Sequence, residues 1–242
     1  MPVTVCALIS YTYSRAYDNG YTDGLGSSIG ATYYPLPNWS KLDWALSQTN
    51  VNNNLTASFI YDLPFGHGKR FGSNWSNPVN TLAGGWQVTL IEKITSGFPV
   101  FVVDSANGSG VNFQNNGNSF IRPNEVCSPT SNFHQSLSEW FNTSCFTNPA
   151  AGELGNASRT PVNGPDFVNS DFSVIKRFAL PWESMGLDFR AEIFNLFNHP
   201  QFGLPVSPVN GYADANSPGN FGKITYIVNN PRLVQFGLKF TF

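Results

Sequence analysis

Six stretches of this chain alternate apolar and polar residues with a period of two, and no other feature limits the fold as strongly. Successive side chains of a strand point to opposite faces, so each stretch reads as a strand with one apolar and one polar side. The first sets Val3, Val5, Ala7, Ile9, Tyr11 and Tyr13 against Thr4, Cys6, Leu8, Ser10, Thr12 and Ser14, with Leu8 the misfit. The second sets Leu55, Ala57, Phe59, Tyr61 and Leu63 against Thr56, Ser58, Ile60 and Asp62. In the third, Trp86, Val88, Leu90 and Ile94 oppose Gln87, Thr89, Lys93 and Thr95, and Glu92 falls on the apolar side, which predicts a bulge or strand end nearby. The fourth sets Val168, Phe172, Val174 and Phe178 against Asn169, Asp171, Ser173 and Arg177. The fifth gathers Leu187, Phe189, Ala191, Ile193 and Phe197 on one side and Asp188, Arg190 and Glu192 on the other. The last opposes Val234, Phe236, Leu238, Phe240 and Phe242 to Gln235, Gly237, Lys239 and Thr241.

Composition agrees with an all-β chain. Charged residues make up 12% of the 242 positions, about half the ~25% of ordinary domains, while 21 Phe, 9 Tyr, 6 Trp, 22 Gly and 17 Pro favour strands and turns. No stretch reaches the ~20 apolar residues of a spanning helix, and the mean hydropathy is -0.18. A membrane β-barrel has the same signature, because lipid-facing and lumen-facing residues alternate and average out. The N-terminus has no basic residue before Arg15, and Thr4, Ser10 and Thr12 interrupt its apolar run, so a strand is expected there and not a signal peptide.

The connections separate a barrel from a sandwich. They alternate long, medium, long, short, long: Arg15 to Asn50, Pro64 to Gly84, Phe98 to Asp166, Ala179 to Gly186, and His199 to Asn230. Outer-membrane barrels pair short periplasmic turns with long extracellular loops, whereas compact domains seldom hold structureless loops beyond ~15 residues. If the last strand runs inward, every long connection lies outside, provided that Phe221 to Thr225 belongs to the last loop. The competing reading is a secreted β-sandwich that binds glycans or mediates adhesion, its apolar strand faces packed together. A further alternative is a six-strand protomer that completes a barrel as an oligomer.

The stretches "FRAEIFNLFNHPQFGLP" (Phe189 to Pro205), "NFGKIT" and "NPRLVQFGLKFTF" resemble the C-terminal end of TonB-dependent outer-membrane receptors, the Oar-like group in particular, whose members often carry a carboxypeptidase-regulatory-like domain. "IYDLPFGHGKRFGS", "GGWQVTLIEKITSGFPV" and "WFNTSCFTNPAAGELGNASR" extend the resemblance over nearly all of the chain. It implies an antiparallel transmembrane β-barrel of about 22 strands around a plug. Residues 1–242 then read as a C-terminal barrel portion with about six spanning strands, no plug and no signal peptide. The resemblance also implies that Phe236, Leu238, Phe240 and Phe242 form the signal recognised by the barrel-assembly machinery, by strand addition. A plain edge strand over a soluble core is the alternative for these residues. Expected partners are outer-membrane lipid, the assembly machinery, the missing strands and plug, TonB through them, and a small-molecule, glycan or peptide ligand; no nucleic acid is expected. The expected place is the bacterial outer membrane.

Residues that could carry chemistry are sparse. Asp188 and Glu192 stand four apart, ~13 Å along a strand, too far for a glycosidase carboxylate pair. With Arg190 they read as a charge ladder in a polar lumen. Cys127 and Cys145, in one long loop, are either a disulfide or two free thiols. His67, His134 and His199 lack the spacing of a helical metal pair, and the glycines of "GLGSSIG" (Gly24, Gly26, Gly30) and "FGHGKRFG" miss the nucleotide-binding patterns. No catalytic residue, metal or cofactor is expected, and the chain is expected not to be an enzyme.

Overall fold

A computed structural model describes residues 5–18, 40–106, 121–179, 185–207 and 213–242. Val3, the Gly24 to Gly30 stretch and residues 181–184 of the short fourth connection lie outside them. Six long strands form one sheet: β1 (Val5–Tyr13), β2 (Asn53–Asp62), β3 (Trp86–Thr95), β4 (Phe167–Ala179), β5 (Gly186–Phe194) and β6 (Leu233–Thr241). Each pairs antiparallel with its neighbour in sequence, giving the order β1-β2-β3-β4-β5-β6. Five have 9 or 10 residues and β4 has 13, matching the roughly 9–11 tilted residues that cross a bilayer.

The register keeps the two faces distinct across the whole sheet. One row runs Ala7, Phe59, Leu90, Phe172, Ile193, Val234, and the next runs Val5, Tyr61, Val88, Val174, Ala191, Phe236. Both rows are wholly apolar. On the opposite face one row reads Cys6, Ile60, Thr89, Ser173, Glu192, Gln235. The alternation in each strand has thus been propagated sideways by hydrogen bonding into one apolar and one mostly polar surface.

Of the two expectations at Glu92, the strand end lies nearby, at Thr95, and the bulge does not form. Pairing runs unbroken through Ala57, Glu92 and Ser170, without a bulge. The carboxylate stays on the apolar face because the Ser170 hydroxyl, 5% exposed, donates to its Oε1 at 2.6 Å. Lys176 is a second polar residue on that face, and its ammonium donates to the carbonyls of Leu82 and Gly84 from the connection beyond Asp62. Trp86 and Phe178 rings sit 5.1 Å from the same ammonium, a cation–π arrangement at the end of the apolar band. Phe197 also departs from the expected pattern. Strand β5 ends at Phe194, and Asn195 and Asn198 adopt positive φ values of 51° and 52°, turning the chain out of the strand.

No second sheet of long strands covers either face among the described residues, so the sandwich alternative fails. Strand β1 is exposed along its entire length, and Phe236 and Leu238 on β6 are 71% and 70% exposed. A water-soluble sandwich would bury such side chains. The packed core lies elsewhere: Val100, Val102, Phe141, Cys145, Phe146, Ala157, Val162, Val206, Ala213 and Phe221 cluster in the long connections. In an antiparallel meander the described parts of residues 14–52, 96–166 and 195–232 leave from the same end of the sheet, where they build a cap. The opposite end carries residues 63–85, with a helix at Asn77–Ala83 opened by a proline.

Candidate functional site

The cap is assembled from sequence-distant pieces, with most of its apolar core supplied by the connection between β3 and β4. Within residues 96–166, Pro99–Val100 pairs with Val162–Asn163 and Asn124–Glu125 with Phe146–Thr147. The backbone closes tightly at Gly97, where a Cβ would meet the Gly164 carbonyl oxygen at 1.9 Å. Val102–Val103 then pairs in parallel with Ala213–Asp214 of the last connection. Phe141 presents its edge to Phe146 and Phe221 at 5.6 and 5.2 Å between centroids, joining the same two connections through aromatic contacts.

Charge ties in the first connection. Arg122, fully buried, pairs with Asp43 at 3.1 Å, and Arg159 pairs with Asp18. The Thr160 hydroxyl donates to the Leu46 carbonyl at 2.9 Å. Buried guanidinium–carboxylate pairs add little net stability, since desolvation offsets attraction, but removing one partner strands a charge. They therefore specify how these loops meet. Glu125 has its carboxyl pKa raised, chiefly by burial, with a backbone hydrogen bond from Ser158 acting against the rise.

Cys127 and Cys145 are joined as a disulfide, with their Cα atoms 4.9 Å apart. Cys145 belongs to the apolar core and Cys127 is exposed, so the bond anchors an outer loop to the cap interior. Cys6, the remaining cysteine, is a free thiol on β1.

Two of the clefts among the described residues lie in and below the cap. One, of about 390 Å³, is bordered by Leu46, Thr130, Gln135, Trp140, Asn163 and Asp166. The Trp140 indole donates to the Asn163 carbonyl at 2.8 Å, which holds the ring in place. The other, about 350 Å³, sits where β4, β5 and β6 enter the cap and is bordered by Asn169, Asp171, Phe194, Asn195, Asn229 and Asn230. Here Asp171 accepts from the Asn169 amide and the Asn195 backbone, and Asn195 bridges to the carbonyls of His199 and Asn230. Both clefts are lined by amides and aromatics with one carboxylate each, suited to neutral polar or cationic groups. Sequence patterns miss these linings, because their residues come from different connections.

Asp188, Arg190 and Glu192 share the polar face of β5. Arg190 pairs with Glu192 at 3.3 Å, Arg177 of β4 lies 3.8 Å from Asp188, and Lys239 stands opposite Asp188 on β6. Signs thus alternate across three strands, although such exposed pairs each contribute only ~0–1 kcal/mol. Phe236, Leu238 and Phe240 occupy the apolar face of β6, and Phe242 follows it, 87% exposed with its ring 6.0 Å from that of Phe240. His67, His134 and His199 sit in three different connections, and no group of three or more metal-ligating His, Cys, Asp or Glu residues occurs among the described residues.

The model of the outer membrane beta barrel domain matches residues 4–235. No curated protein and no solved structure matches the chain. The match spans all of β1 to β5 and reaches into β6, and strands of such barrels alternate lipid-facing with lumen-facing residues. The chain belongs to the outer membrane beta barrel domain family, and its place is the bacterial outer membrane.

Proposed function

We propose that this chain forms the C-terminal wall and extracellular loops of a TonB-dependent, Oar-like receptor that takes up a scarce ligand without chemical conversion. The observation carrying this reading is the open sheet. Strands β1 and β6 each have one unpaired edge among the described residues, and β1 does not pair with β6. Lipid offers no hydrogen bonds, so an open edge within the bilayer has to meet another strand. A receptor barrel of about 22 strands provides those neighbours on both sides. The cap then captures a small molecule, glycan or peptide, and the charged polar face guides it past a plug moved by TonB. Phe236, Leu238, Phe240 and Phe242 serve as the assembly signal, because an edge strand with alternate apolar side chains suits strand addition.

A ring of copies joining β6 of one to β1 of the next satisfies the same edges. Intact-mass and gel analysis of unheated and heated outer membranes separates the two. The receptor reading predicts these peptides within one polypeptide far heavier than 26.6 kDa that cross-links to TonB. A folded complex built from 26.6 kDa chains would favour the ring, and a stable 26.6 kDa monomer would contradict both.

A further inference from the structure

The cleft of about 390 Å³ beside Trp140 combines ring surface with polar side chains that the fold itself does not use. Thr130, Gln135 and Asn163 border it with a hydroxyl and two amides, and none of these side chains hydrogen-bonds another group among the described residues. Asp166 accepts the Gly97 backbone N–H on Oδ1 at 2.9 Å, and its Oδ2 has no partner among the described residues. The one polar atom of Trp140 is occupied by the Asn163 carbonyl, so what this residue gives the cleft is ring surface. No Lys, Arg or His among the described residues borders the cleft. A pair of exposed rings adjoins it. Leu46, on the cleft wall, pairs with Tyr17 across a two-residue ladder, and the Tyr17 ring stacks on that of Trp44 with centroids 6.1 Å apart and planes 11° from parallel. The other side of this ribbon is anchored: Ala45 is buried, Asp18 pairs with Arg159, and the Thr160 hydroxyl holds the Leu46 carbonyl at 2.9 Å. Alternation along the ribbon therefore fixes Tyr17 and Trp44 outward, next to the cleft.

We infer that the cleft and the ring pair form one extended site for a neutral oligosaccharide, with one part of the sugar chain against Trp140 and another on Tyr17 and Trp44. A sugar ring has an apolar C–H face, which suits an aromatic surface, and a rim of hydroxyls that both donate and accept. Amides and a hydroxyl answer such a rim in both senses, and the free carboxylate oxygen accepts from it. An anionic ligand finds no cation in the lining. A proline-rich peptide also favours aromatic grooves, but it has few N–H donors and leaves the Asp166 carboxylate and the amide oxygens unanswered. The cleft volume lies within the ~300–1,000 Å³ of small-molecule sites, and the anchored ribbon holds the rings in place before a ligand arrives, which lowers the cost of binding. The inference rests on the reading of the cap as the ligand-capturing side and names the class of ligand.

The test uses the full polypeptide extracted from outer membranes into an amine-oxide detergent, which has no sugar headgroup, and freed of lipopolysaccharide. Calorimetric titrations use maltohexaose, cellohexaose and xylohexaose, the matching disaccharides, and decaproline. At least one hexaose is expected to bind, about tenfold more tightly than its disaccharide, which reaches the cleft alone. Trp44→Ala, at an exposed position, is expected to weaken the hexaose about tenfold and to leave the disaccharide unchanged. Gln135→Ala, also exposed, is expected to weaken both about fivefold. Absence of binding by all three hexaoses, tighter binding of decaproline, or a hexaose affinity unaffected by Trp44→Ala would overturn the inference. Binding is measured without TonB, so a polypeptide that binds the sugar but does not cross-link to TonB contradicts the receptor reading and leaves the sugar site standing.

Discussion

Replacing Cys127 by Ser opens the cap without touching the sheet. The disulfide to Cys145 closes an interval of 18 residues, and loop-closure entropy for that length amounts to about 3 kcal/mol near 25 °C. Cys127 is exposed, so the serine itself meets water, while the Cys145 thiol stays in the core as a small apolar group. The free energy of local opening for residues 124–147 is expected to fall by that amount, raising amide exchange there roughly a hundredfold. The six strands should exchange as before, since their hydrogen bonds run from strand to strand and not to the cap. Hydrogen exchange with mass spectrometry on the protein in detergent or bilayers reads both regions at once. Unchanged exchange at 124–147 would refute the entropic argument. Equal acceleration in β2 to β5 would refute the separation of cap from sheet.

Two further outcomes follow from the same packing. Phe141→Ala removes a fully buried ring that touches Phe146 and Phe221; the cap should lose about 3–5 kcal/mol, seen as protease sensitivity in residues 96–166 with the strands intact. Burial raises the Glu125 pKa, so the native state binds its proton more tightly than the unfolded chain, and stability falls as pH climbs from the ordinary value of 4.5 through the raised one. Glu125→Gln should therefore stabilise the cap at neutral pH, with the gain vanishing below pH 4.5 in thermal melts followed by exchange.

The strands were legible because period 2 needs only local information. Every alternating segment became a strand of the sheet, and the misfit Leu8 was carried onto the polar face by register, beside Ile60. Glu92 predicts a bulge or a nearby strand end because an isolated carboxylate on an apolar face is costly, and no bulge forms. Its solution, Ser170, lies 78 residues away on β4, beyond the reach of a local pattern. The cap was illegible for the same reason on a larger scale. Its ladders are two residues long, Val102–Val103 finds its partner only at Ala213–Asp214, and Phe141 and Phe221 meet across two connections. No periodicity announces such pairings, and neither cleft has a sequence signature.

The account stands on which face of the sheet touches lipid, and β5, an interior strand, tests this best. Spin labels placed one at a time from Leu187 to Ile193, in a Cys6→Ser background and in bilayers, report collisions with oxygen or with an aqueous nickel complex. Oxygen should dominate at Leu187, Phe189, Ala191 and Ile193, and nickel at Asp188, Arg190 and Glu192. Alternation of the opposite phase, or equal exposure to nickel at all seven positions, would contradict the placement of the apolar rows against lipid.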